Sequence, residues 1–268
     1  MAEVVPLPRN AAPCDHVIQT YTDDAFLARV VTDYVAAGLA QRDAVITIAT
    51  PAHTRAFTDR LAATGIDVSA VVDAGHLLTL DAERTLAGVM VDGGPERTAF
   101  LSIMTAALGR VRAPDGHAIR LYGEMVDLMW PEQLEAALTL EGLWNELLAD
   151  RRLSLLCAYR LDALDRHAKG VLRRVTHCHS RLMPADEPER FEEAVDRAYA
   201  EVFGAGGDVA TLRALMVSRH SQGPAVPPAH AALFALDDMP PLIANDIRAR
   251  ARQYYRRPTA GPLPPRSH

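Results

Sequence analysis

The residues of this sequence that could do chemistry together are His16, Tyr21, Thr50, His53, Asp81, Tyr122, Glu124, Trp144 and Tyr159. They offer imidazoles, carboxylates, phenols, a hydroxyl and an indole, the mixture that orients a small molecule in a mostly apolar pocket. Tyr21, Thr50, Asp81, Glu124 and Tyr159 fall at or just after the ends of strand-like runs, and His53 lies one helical step past the second run. Open α/β sheets bind ligands outside the carboxyl ends of their strands, so these residues are expected to share one rim. Glu124 can serve as acceptor or base facing that pocket; it can equally pair with Arg120 or cap the next helix. His16 suits a core carboxylate as well as a ligand. Trp144 stands on an apolar helix face, Asn145 beside it can tie helix to strand, and Cys157, mid-strand, is expected to be a buried, inert thiol.

Other chemistry is excluded by what is missing. A phosphate loop needs G-x-x-x-x-G-K-[ST], with glycines freeing backbone amides and a lysine meeting the phosphates. The only lysine, Lys169, follows Ala168. The first strand-to-helix junction, residues 19–24, has no glycine and places Asp23 and Asp24 where a phosphate would sit. No G-x-G-x-x-G fingerprint occurs either. Nucleotide hydrolysis is not expected, and no cofactor is assigned. In an extended segment His177 and His179 would point to one side, as two metal ligands could. Further ligands would have to come from His167, His16 or Cys14, so the run is read as a hinge and no metal is assigned. Ser180 beside His179 lacks the nucleophile-elbow context.

The elements that must position these residues alternate. Residues 16–21, 44–50, 76–81, 118–122 and 153–159 read as strands, several of them continuously apolar as in a sheet covered on both faces. Between them lie helical patterns. One starts with Thr22 as N-cap and ends at Gly38; one opens at Pro51 and closes at Gly65; later ones follow Ala82, carry Phe100, Met104, Ala107 and Leu108, and start at Pro131. Such alternation implies a parallel sheet between helical layers. After about Arg173 no strong strand run appears. Residues 188–203, 208–219 and 241–255 look helical, with breaks at Pro224, Pro227 and Pro228. The arginines at 248, 250, 252, 256 and 257 are scattered around the last helix, which reads as a solvated terminal helix.

With 268 residues, 49% of them hydrophobic, the chain can bury a large core. A net charge of −6 without a basic block argues against nucleic-acid binding. Three scattered cysteines, no signal pattern and no long apolar run point to a cytoplasmic protein with no membrane attachment.

Several segments together carry a family likeness: His16 with Tyr21 and Asp23-Asp24; Ala49-Thr50-Pro51-Ala52-His53; Leu80-Asp81-Ala82; Arg120 to Met125; Leu140 to Asn145; Leu155 to Tyr159. In these the chain resembles the MEDS family, the sensory domain of methanogen and methylotroph regulators, over roughly residues 14–185. The resemblance implies a derivative of the RecA and KaiC fold that binds small, often hydrocarbon-like ligands. The last ~85 residues match neither the kinase nor the DNA-binding unit that often follows this domain.

The expected fold is a three-layer α/β domain with a mainly parallel sheet and no phosphate loop (14–180), followed by a small all-helical domain (181–257). Flexible ends cover 1–13 and 258–268. The expected function is non-catalytic sensing of a small organic ligand, signalling to a protein partner through the C-terminal helices. The alternatives are an interaction module with a vestigial pocket and an enzyme using Glu124 as general base.

Overall fold

The structure is a computed structural model and describes residues 14–130, 132–149, 152–168, 170–204 and 223–256, with single positions at 214 and 218. The segments read as flexible ends, Lys169, Pro131 and most of the 208–219 helix lie outside the described residues. The chain divides into two compact units. One comprises 1–161, 174–184 and 223–225; the other comprises 162–173, 185–222 and 226–268. The helical unit therefore takes in residues 162–173, ahead of the boundary read from sequence.

The first unit is built on a six-stranded sheet. Its strands are β1 His16–Tyr21, β2 Ala44–Ala49, β3 Leu77–Asp81, β6 Ile119–Gly123, β7 Leu153–Arg160 and β8 Arg181–Leu182, in the order β3-β2-β6-β7-β1-β8. Every pairing is parallel. β1, β2 and nearly all of β7 are buried at every position, which is why they lack alternation in sequence. β4 Met90–Val91 and β5 Gly94–Pro95 form a separate antiparallel pair at the Gly93-Gly94-Pro95 punctuation. β8 was not legible in sequence, because two residues at a sheet edge carry no periodic signal.

Helices α1 Asp24–Ala40, α2 Pro51–Ala63 and α3 Val68–Asp73 cover one face. There Val30, Val31, Tyr34 and Phe57 bury against Val17, Val45, Tyr122 and Leu156. Helices α4 Ala82–Val89, α5 Arg97–Leu108, α6 Met125–Met129 and α7 Leu134–Ala149 follow β3 and β6. On that second face Phe100 of α5 meets Trp144 of α7 edge-on at 4.9 Å. The three-layer α/β expectation holds.

Two helix boundaries differ from the sequence reading. Asp23, not Thr22, caps α1 by accepting the amide of Phe26 at 2.7 Å. Gly38 does not end α1, which continues to Ala40. It lies under Arg120, where a Cβ would come within 2.8 Å of that side chain's Cδ. Arg120 is buried and bonds Asp43 through Nε at 2.8 Å, so the glycine makes room for a buried ion pair.

The second unit contains α9 Pro188–Phe203, a short α10 Pro228–Ala235 and α11 Pro241–Arg256; α8 Val171–Thr176 precedes them in the chain. The prolines read as breaks at 227 and 228 instead start α10, where the lack of an amide costs nothing. α11 is not simply a solvated helix. Arg248 is 3% exposed and bonds Asp237 and the carbonyls of Ala163 and Leu233. Arg252 pairs with Asp162 and Asp165. These arginines hold the helix to its own unit.

Candidate functional site

The site forms where neighbouring strands send their helices to opposite faces. β2 runs into α2 on the first face, whereas its neighbour β6 runs into α6 and α7 on the second. Such switch points, outside the carboxyl ends of the strands, are where open α/β sheets bind their ligands. Thr50 follows β2 and Glu124 follows β6.

Glu124 is 2% exposed, and its carboxylate takes three donors. Oε1 accepts the backbone amide of Thr50 in a short hydrogen bond. Oε2 accepts the Tyr122 hydroxyl at 2.8 Å and the His53 Nδ1–H at 2.7 Å. Burial pushes the carboxyl up, but His53, the Thr50 amide and Tyr122 outweigh it and hold it below its ordinary range. The hydrogen bond to Glu124 raises His53 above its ordinary value of 6.5, against the opposing effect of burial. His53 and Glu124 thus stabilise each other in charged form.

A second carboxylate completes the rim. Asp127 of α6 accepts the Tyr21 hydroxyl at 2.8 Å and the Arg160 amide at 2.7 Å. Burial raises its pKa, and the Glu124 charge adds to the rise. Arg160 lies over the Tyr21 ring at 4.9 Å and pairs with Asp24. Asp24 is also 3.5 Å from His53 Nε2, the edge of the imidazole turned outward. Burial and Asp127 raise Tyr21, and burial and Glu124 raise Tyr122, so both phenols stay protonated donors.

The structure thus brings Tyr21, Thr50, His53, Tyr122 and Glu124 together and places the other four elsewhere. Asp81 accepts the amide of Arg84 at 2.9 Å and caps α4. Trp144 is buried against Phe100. His16 and Tyr159 belong to a separate buried group around Glu141 of α7. Tyr159 donates to Glu141 Oε1 at 2.6 Å, and His16 Nε2 lies 3.2 Å from Oε2. Burial works against this carboxylate, but the His16 contact and the Tyr159 phenol hold it below its ordinary range. Burial also pushes His179 down to about 4, so its ring is neutral at pH 7. A neutral His179 lends Glu141 no positive charge, which leaves the His16 and Tyr159 contacts to sustain the carboxylate. Asn145 ties helix to strand by meeting His16 Nδ1 at 2.8 Å. Arg120 pairs with Asp43 and not with Glu124, and Glu124 makes no capping bond to α6.

Asp127 and Glu141 escaped the sequence reading for different reasons. Asp127 sits on a five-residue helix, too short to show periodicity. Glu141 left a signal: it falls among the buried positions Ala137, Leu140, Trp144 and Leu148 of α7. A carboxylate in the apolar stripe of a helix must be met by donors from the neighbouring element. His177 and His179 also part company: the segment turns after α8, leaving His177 exposed and His179 buried.

Among the described residues, no helix is long and apolar enough to cross a membrane. A family model described as the methanogen/methylotroph, DcmR sensory domain matches residues 15–180. No curated protein matches the chain.

Proposed function

The chain belongs to the MEDS sensory-domain family, and from that premise we propose that it is a non-catalytic sensor of a small organic, hydrocarbon-derivative-like ligand. The ligand enters the crevice between the ends of β2 and β6, and the helical C-terminal unit carries the signal to a protein partner. The observation that carries this reading is the saturation of Glu124 by Thr50, His53 and Tyr122 at the switch point. In a nucleotide-binding α/β fold the amide at this helix start would meet a phosphate. Here an internal carboxylate takes it, which favours a neutral ligand over a nucleotide. A ligand that captures one donor of Glu124 frees the others, so binding favours a second arrangement of the rim. The size of that shift is set by the difference in affinity between the two arrangements.

A general base at Glu124 is the weaker reading. A base works best with a proton affinity near the working pH, and Glu124 is held below its ordinary range. Binding of nucleic acid is disfavoured by the charge of −6 and by the pairing of the α11 arginines within their own unit.

Native mass spectrometry of the protein as purified, and after exposure to short-chain alcohols, aldehydes and halocarbons, tests the reading. A retained organic mass that is lost in His53→Ala and weakened in Glu124→Gln supports it. Retention equal in both variants removes the crevice as the site. No retained mass from any of these compounds favours an interaction module with a vestigial pocket.

A further inference from the structure

The buried group behind the sheet has the composition and geometry of a metal centre. His16 Nε2, Glu141, Cys157 Sγ and His179 Nε2 each offer one ligand atom, and these atoms lie within 4.8 Å of one another. All four residues are buried. Three elements and one turn supply them: the first residue of β1, the middle of α7, the middle of β7 and the turn after α8.

Both imidazoles are aimed inward by their outer nitrogens. His179 Nδ1 lies 2.8 Å from the carbonyl of Val175, which only accepts, so the proton is on Nδ1 and the Nε2 lone pair faces the group. Asn145 Nδ2 donates to the carbonyl of Cys178 at 2.9 Å, which fixes the amide and turns its oxygen to His16 Nδ1 at 2.8 Å. His16 Nδ1 therefore donates, and its Nε2 also faces inward. Metal-bound histidines are oriented in this way, with the second ring nitrogen donating to a carbonyl or carboxylate.

Protons alone satisfy this group poorly. His179 Nε2 is buried, has no hydrogen-bond partner, and sits 3.5 Å from a carboxylate oxygen. Around Cys157 Sγ, His16 Nε2 at 3.4 Å and Glu141 at 3.8 Å compete for the same protons, since Nε2 is also 3.2 Å from Glu141 Oε2. A divalent cation would meet all four donors at once. Around tetrahedral zinc the edges between N, O and S ligands are about 3.3–3.8 Å; four pairs here stand at 3.2, 3.4, 3.5 and 3.8 Å, and none of the ligand atoms is more than 4.8 Å from another.

We propose that His16, Glu141, Cys157 and His179 form a closed tetrahedral site for a divalent transition-metal ion, with Zn²⁺ the best match to two nitrogens, one oxygen and one sulfur. On binding, Cys157 loses its proton to solvent and coordinates as thiolate; no redox change is involved. Four protein donors in a buried shell leave no open position, the pattern of a structural ion. The ion pins the turn at 177–180 to the sheet and to α7. The site is separate from the crevice at the strand ends, so it stands or falls independently of the ligand reading.

The test is metal analysis of the full chain produced in medium supplemented with Zn²⁺ and, separately, with Co²⁺. The expected result is close to one equivalent of either ion after exhaustive dialysis. The Co²⁺ form should show intense tetrahedral ligand-field bands and a thiolate charge-transfer band. Cys157→Ser should lose the charge-transfer band, Cys178→Ser should keep it, and His179→Ala should bind at least tenfold more weakly. A folded wild-type protein without stoichiometric metal from either medium overturns the proposal. So does a bound ion whose spectrum is unchanged by Cys157→Ser, because the ion then lies elsewhere. The wild-type measurement decides even if a variant fails to fold.

Discussion

Glu124 accepts the backbone amide of Thr50 through its side chain, while its own amide donates to the carbonyl of Ile48 at 3.1 Å. The ends of β2 and β6 are therefore stitched twice, once by main chain and once by a buried carboxylate. This arrangement makes the strand-end rim sensitive to the charge on one residue.

Glu124→Gln keeps the shape and removes the charge. The amide nitrogen of glutamine then faces a donor that the carboxylate used to accept. Hydrogen bonds to a charged group contribute about 1.5–3 kcal/mol, so the variant should lose stability on that order in urea denaturation at pH 6. An unchanged midpoint would mean that the rim does not depend on the carboxylate.

The His53–Glu124 pair also sets a pH window. His53 is raised above 6.5, so its contribution is fully present below that value and is lost as pH rises through its folded-state pKa. Glu124 is lowered below 4.5, so its contribution is present above that value and is lost as pH falls through its folded-state pKa. The pair therefore stabilises most between 4.5 and 6.5. Asp24, Asp127, Arg160, Tyr21 and Tyr122 face the same pair, and Asp127, with its raised pKa, works the other way: it favours the folded state as pH falls and so offsets part of the acid-side loss from Glu124. Denaturation across about pH 4 to 8 should show a maximum in this window, flattened on its alkaline side in His53→Gln.

Gly38→Ala tests the space beneath Arg120. Alanine in a helix interior should gain up to about 1 kcal/mol by propensity. Its Cβ would lie 2.8 Å from Arg120 Cδ and 3.1 Å from Val45 Cγ2, both buried. Arg120 is held by Asp43 at 2.8 Å and by Gln41 at 2.7 Å, so it cannot yield without breaking those bonds. Overpacking costs about 1–3 kcal/mol, and the net effect should be a loss, visible as a lower Tm. A higher Tm would show that the arginine has room to move.

In the helical unit, Arg248→Met should leave Asp237 buried without its partner. The Asp237 side chain is 5% exposed, and breaking such a pair costs about 3–5 kcal/mol. Asp237→Leu combined with Arg248→Met should recover much of that loss. A double variant no better than the single would show that the carbonyl contacts of Arg248 outweigh its ion pair.

How much of this could be read from sequence follows from the range of each interaction. β1 at 16–21, α2 opening at Pro51, and α9 over 188–203 were legible because buried runs, proline at a first turn and amphipathic spacing are local signals. β8 and α10 were not, because one exists only as an edge partner of β1 and the other begins at prolines that also read as breaks.

By itself the sequence determined the alternation of buried strands and helices, the absence of a phosphate loop and the set of polar residues at strand ends. Only the tertiary structure decided which of those residues meet. Tyr21, His53, Tyr122 and Glu124 converge because parallel pairing brings the ends of β1, β2 and β6 to one side and β2 and β6 part at their helices. His16 and Tyr159 turn to the other face, toward a glutamate at position 141 of α7. Strand order and helix handedness set those distances, and neither is encoded in the spacing of any one segment.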